Sequence, residues 1–165
     1  MNYLQKGFTL VEIIIVVGII SIMVGGGVRV YSNTVAGRQL DKEADGLMNI
    51  LQRAKDRSVA RDISPLTPSP GCTNFVGYSV MIRPDETYED RITCDSTITV
   101  LNTYTLTNLE FFRLTTDVRL NFTYPYGSLS TADRLIEIRS DRIDRCINIT
   151  IPQLGPLNKS DIFAC

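Results

Sequence analysis

The stretch from Phe8 to Val28 constrains this chain more than any other, because its 21 residues carry a single charge, Glu12. A helix rises 1.5 Å per residue, so the run is long enough to cross a hydrocarbon core of about 30 Å. Lys6 is the only charge ahead of it. The positive-inside tendency therefore keeps the leading residues cytoplasmic and sends everything after the run outward. Glu12 does not suit a plain anchor: a carboxylate so early in an apolar helix costs at least about 2.5–3.5 kcal/mol on insertion scales. Its expected partner is an α-amino group made by cutting the chain just before Phe8, so that Glu12 of one copy meets the new N-terminus of a neighbour.

Residue counts narrow the chemistry. The chain of 165 residues has no histidine, which removes Ser-His-Asp and Cys-His nucleophiles and the commonest metal ligand. A net charge of −1 argues against nucleic-acid binding through the whole-molecule field. All four cysteines, Cys72, Cys94, Cys146 and Cys165, lie beyond the apolar run, and none has the close spacing of a zinc knuckle or redox pair. An even number of well-separated cysteines outside the cytoplasm implies disulfides, with four reduced thiols as the alternative. Three connectivities are open. Pairing Cys72 with Cys94 and Cys146 with Cys165 is favoured, since each closes a local loop of about twenty residues, worth roughly 3 kcal/mol apiece.

The N-terminal residues Lys6-Gly7-Phe8-Thr9-Leu10-Val11-Glu12, in front of a membrane-length run, resemble the processing motif of type IV prepilins and type II secretion pseudopilins. The resemblance implies cleavage after Gly7 by a prepilin peptidase and N-methylation of Phe8, with Glu12 at the position of the family's assembly residue. It covers only about the first thirty residues. Two other readings of the same segment are an uncleaved signal anchor, in which Glu12 is incidental, and a secretory signal peptide cut after Val35-Ala36-Gly37. The short, weakly basic lead-in and the length of the apolar run speak against the second.

Past the run, Gly25-Gly26-Gly27 is unfavourable in a helix interior by about 0.8–1 kcal/mol per residue. The triplet implies either a bendable, locally melted stretch or close helix packing. From Arg38 to Arg61, Leu40, Ala44, Leu47, Leu51, Ala54 and Ser58 recur at spacings of three and four, while Lys42, Asp45, Asn49, Gln52, Arg53 and Asp56 fall off that stripe. The cations Arg53, Lys55, Arg57 and Arg61 alternate with Asp56 and Asp62 and read as a solvated face. Ile63-Ser64-Pro65 is expected to stop the helix, and Pro65, Pro68, Pro70 and Gly71 to form a stiff loop. Strand-like composition follows over 74–83, 97–105, 110–114, 118–124, 134–139 and 145–151. Asp85, Glu86, Glu89 and Asp90 lack EF-hand spacing and read as a solvated acidic loop, so no metal site is expected.

Together these features predict an α+β, pilin-like chain: one long N-terminal helix, membrane-spanning in its first half, packed on an antiparallel sheet head. Its segments are a leader over 1–7, a membrane or filament-core helix over 8–30, an amphipathic continuation over 31–62 and a β-rich extracytoplasmic head over 63–165. The strand number and a Gly-Tyr-containing early strand lean toward H-type minor pseudopilins and minor pilins, with two small sheets. The resemblance implies a structural, non-enzymatic filament subunit of the type IV pilus or type II secretion kind, without cofactor. Its implied partners are prepilin peptidase, sibling pilins and an inner-membrane assembly platform. A filament-tip subunit for adhesion or DNA uptake is the alternative.

Overall fold

The computed structural model describes residues 8–66 and 72–165, with the backbone alone at 25–29. Gly7 and the rest of the expected leader lie outside the described residues, as does most of the proline-rich loop. One helix, α1 (Leu10–Ala60), dominates. At 1.5 Å per residue its 51 residues extend about 76 Å. It passes through Gly25-Gly26-Gly27 without a break, so the triplet does not melt the helix there. The end comes at Arg61, a left-handed residue (φ 51°, ψ 42°) whose N–H donates to the carbonyls of Arg57 and Ser58. The helix thus stops just short of the proline expected to stop it, and Ser64–Leu66 adds a single 3-10 turn.

Ten strands follow: β1 (Phe75–Ile82), β2 (Thr87–Cys94), β3 (Thr97–Thr105), β4 (Glu110–Phe111), β5 (Val118–Thr123), β6 (Ser128–Leu129), β7 (Arg134–Ser140), β8 (Arg145–Ile151), β9 (Asn158–Lys159) and β10 (Phe163–Ala164). They form two antiparallel sheets. The first has the order β3-β2-β1-β5-β6, and the second the order β10-β8-β7-β4, with β9 also on β8. One long helix on antiparallel sheets is the α+β, pilin-like architecture that the sequence predicts. Disulfides join Cys72 to Cys94 and Cys146 to Cys165.

The helical period places the core. Leu40, Ala44, Leu47, Leu51, Ala54 and Ser58 are all buried, joined by Ala36 and Ile50. They pack against Tyr78, Val80 and Ile82 of β1, Leu120 and Phe122 of β5, and the isoleucines of β7 and β8. Burying one such aliphatic side chain is worth roughly 1.5–3 kcal/mol, so this stripe is the main attachment of head to helix.

Strand β2 contradicts the expected acidic loop. Only Asp85 and Glu86 are exposed, at the turn before it, while Glu89, Asp90 and Arg91 are buried within it. Three consecutive charges hide a strand from any reading of composition. Alternation along β2 puts Glu89 and Asp90 on opposite faces, so the four carboxylates do not converge.

A single polar side chain closes the helix–sheet joint. Ser58 Oγ donates to the carbonyl of Phe122 and accepts from the N–H of Tyr78, both at 2.7 Å. Tyr78 and Phe122 are directly opposed in the β1–β5 ladder, so the helix hydroxyl stands between two main-chain groups of the sheet. Beside it, Gly77 (φ 150°) approaches so closely that a Cβ there would lie 2.1 Å from the Phe122 oxygen. Ser58→Ala leaves a buried carbonyl and a buried N–H without partners, at about 1–3 kcal/mol each. Urea unfolding of the detergent-solubilised chain is expected to show a loss of roughly 2 kcal/mol or more. An unchanged midpoint would mean that water replaces the hydroxyl.

Candidate functional site

The sequence points to the start of α1, and the local chemistry there divides between two residues. Thr9 is the N-cap, with extended backbone (φ −78°, ψ 150°), and its Oγ1 accepts from the N–H of Glu12 at 3.3 Å. Thr9-Leu10-Val11-Glu12 has the spacing of a capping box, a sequence signal that the cost of Glu12 in an apolar run overshadows. Only the threonine half of the reciprocal pair is made. The Glu12 carboxylate is exposed and, among the described residues, has no ion-pair partner. Phe8, at 80% exposure, immediately precedes the cap.

Behind them the helix offers apolar side chains on all sides. From Leu10 to Val24 the large hydrophobic residues are between 49% and 79% exposed. A helix apolar all round is a buried or membrane helix, yet among the described residues the large apolar side chains of Leu10–Val24 stay exposed. Among the described residues no helix is long and apolar enough to cross a membrane. The fifteen described side chains from Leu10 to Val24 account for about 22 Å of helix, short of the whole run in the sequence.

The other end of α1 is fully engaged. Lys159 of β9 pairs with Asp41 at 2.7 Å and with Asp45, strapping the C-terminal tail onto the helix. Lys55 donates to the carbonyl of Gly155. Arg57 pairs with Asp62 at 3.5 Å and lies over Tyr78, and Arg61 lies over Tyr124. Three of the four cations at this end thus have partners within the chain. Among the described residues the one group with metal-ligating atoms together is Cys72, Cys94 and Asp95, and its two sulfurs are joined in a disulfide.

A family model for the prokaryotic N-terminal methylation motif matches residues 3–28. The chain therefore carries a prokaryotic N-terminal methylation motif. It is 33% identical over 84 residues to the type IV major fimbrial protein FimA of Dichelobacter nodosus strain VCS1703A, and equally to FimA of Dichelobacter nodosus. Each match covers 48% of this chain and 52% of the relative, so the chain spans about half the length of the curated relatives it matches. No solved structure matches significantly. The motif segment takes in Phe8, the Thr9 cap and Glu12 in the first turn of the exposed helix.

The head beyond that segment holds one electrostatic conflict. Asp90 is 2% exposed, and its Oδ1 has no hydrogen-bond partner. Burial pushes its carboxyl above the usual range, and Arg57 and Arg53 oppose the shift only in part. A raised pKa means that the folded state favours the protonated acid. This contribution to stability is complete below the unfolded pKa of about 3.9 and is lost as pH rises through the folded value. Asp62, Asp85 and Asp95, held low mainly by hydrogen bonds from Ser64, Thr87 and the Thr73 and Asn74 amides, act in the opposite sense. Asp90→Asn is expected to raise the thermal midpoint by roughly 2–4 °C at pH 8, about 1 kcal/mol, and by less at pH 3. Calorimetry at the two pH values checks it; a larger gain at pH 3 would contradict the assigned burial.

Proposed function

We propose that this chain is a structural subunit, a minor pilin or pseudopilin, of an extracellular filament of the type IV pilus or type II secretion kind. The observation that carries the reading is the exposed, all-round apolar stretch Leu10–Val24 of α1, headed by Glu12, which has no ion-pair partner among the described residues. In this reading prepilin peptidase cuts after Gly7, and Phe8 becomes the methylated N-terminus. Residues 8–30 hold the subunit in the inner membrane with its head outside the cytoplasm. An assembly platform then moves the subunit into a filament, where sibling helices replace lipid around the apolar surface.

The Glu12 carboxylate of one subunit pairs with the Phe8 ammonium of its neighbour. In an apolar bundle either charge alone is costly, so the pair selects one axial register, the role for which buried ion pairs are best attested. Thr9 supports it by capping the Glu12 N–H, a bond that does not engage the Glu12 carboxylate. No step in this role needs a catalytic group or a cofactor.

Mass spectrometry of the mature chain from sheared filaments is expected to find Phe8 at the N-terminus with one added methyl group. Glu12→Ala and Glu12→Gln are expected to be processed normally and to enter filaments at least about tenfold less, equivalent to 1.4 kcal/mol or more. A chain that begins at Met1 or near Arg38, or variants that assemble as the parent does, would sink the reading.

A further inference from the structure

Three of the four sheet edges end on strands of two residues: β6 in the first sheet, β4 and β10 in the second. Short edges of this kind protect a protein from unwanted strand pairing. The fourth edge is β3, nine residues reading Thr-Ile-Thr-Val-Leu-Asn-Thr-Tyr-Thr, without charge or proline. One side of β3 pairs with β2, and among the described residues no strand pairs with the other. A bulge divides it, because Val100 faces Arg91 and Asn102 faces Asp90 while Leu101 is left over. Leu101 turns in to pack on the core.

The bulge leaves two regular arms, Thr97–Val100 and Asn102–Thr105, and only the first is exposed at every residue. Ile98 and Val100 stand on the face shared with Thr93 and Arg91, at 42% and 47% exposure. Arg91 is held by Glu89, which also takes Arg83 at 2.8 Å, so the charges beside the arm are already paired. The arm is also rigidly mounted. Asp95 and Ser96 form its turn with positive φ (50° and 66°), the Asp95 carboxylate accepts from the Thr73 and Asn74 amides, and Cys94, opposite Thr97, is disulfide-bonded to Cys72. A preorganised edge loses little entropy when a strand is added to it.

We propose that Thr97–Val100 is a strand-addition site for an extended, uncharged segment of a different protein chain, with β-branched or apolar side chains over Ile98 and Val100. Main-chain hydrogen bonds supply the attraction, and the apolar pair selects alternate side chains of the incoming strand. A charged segment would set its charge against apolar side chains and an already neutralised ion pair, so the complementary segment is neutral. Antiparallel pairing with β3 of a second copy does not fit the proposed filament. Antiparallel pairing of β3 with itself needs a two-fold axis normal to the sheet, which turns the second α1 end for end. Two helices held in the same direction, as in the proposed filament, cannot meet that condition.

Hydrogen exchange of the full chain, in membranes holding it alone and in the assembled complex with its siblings, tests this. Amides of residues 97–100 are expected to slow at least tenfold on assembly. Val100→Lys is expected to abolish the slowing, and Val100→Thr to retain it. Equal exchange in both preparations overturns the proposal, as does slowing that survives Val100→Lys. Slowing in membranes that hold this chain alone overturns it in favour of self-pairing. Recovery of the methylated chain in sheared filaments reports on the filament reading separately, so either idea can fail while the other stands.

Discussion

The head is organised by the docking of one helical stripe against two sheets that share no ladder. β1 and β5 belong to the first sheet, β7 and β8 to the second, and α1 contacts all four. The face from Leu40 to Ser58 is therefore the common floor of both, and direct contacts such as Tyr88 on Phe111 and the Leu129 N–H to the Gln153 carbonyl add to what the helix holds together. Ser58 fixes the depth of this contact, since its hydroxyl enters the β1–β5 ladder where Tyr78 opposes Phe122. From the other sheet, the Lys159 contacts with Asp41 and Asp45 hold the tail to the opposite end of the same helical segment. The head is thus tied near both ends of the stripe.

That attachment makes the N-terminal half of α1 a rigid extension of the head. The helix continues through Gly25-Gly26-Gly27 in the described backbone. A force or a change of neighbours at Phe8 is then transmitted along the axis to the stripe. The two halves differ in what surrounds them, not in secondary structure: one satisfies its apolar surface inside the chain, and the other leaves it outward. A globular protein would not keep so much apolar side-chain surface exposed unless a membrane or other helices covered it.

What was legible in the sequence follows from how each element announces itself. The buried stripe could be read residue by residue, because spacings of three and four sustained from Leu40 to Ser58 are the mark of one helix face. Strands β1, β3, β5, β7 and β8 were visible as β-branched and aromatic runs between turns, and so was β4, which occupies only the first two residues of the run expected over 110–114. β2 was not, because Glu89-Asp90-Arg91 reads as a loop until its neighbours on both sides are known. The two-residue strands β6, β9 and β10 exist only as pairings with longer strands and leave no periodicity of their own. At the functional end, Glu12 stood out by its cost in an apolar run. The capping role of Thr9 was less legible, because that same cost masks the place of Glu12 in a capping box.

The β2–β3 hairpin is where the chain departs most from what stability alone would select. It buries a carboxylate oxygen with no partner at Asp90, sinks the Arg91–Glu89 pair into a strand, and ends the sheet on a long uncharged edge. Each feature breaks a local rule that the rest of the head obeys, and such departures tend to mark sites under another constraint. The same hairpin is stapled at its turn by the Cys72–Cys94 disulfide and by the amide bonds to Asp95. Staples placed where local stability is poorest keep an unfavourable surface in a fixed shape. A fixed shape on an open edge is the arrangement expected of a surface selected for an encounter rather than for the fold.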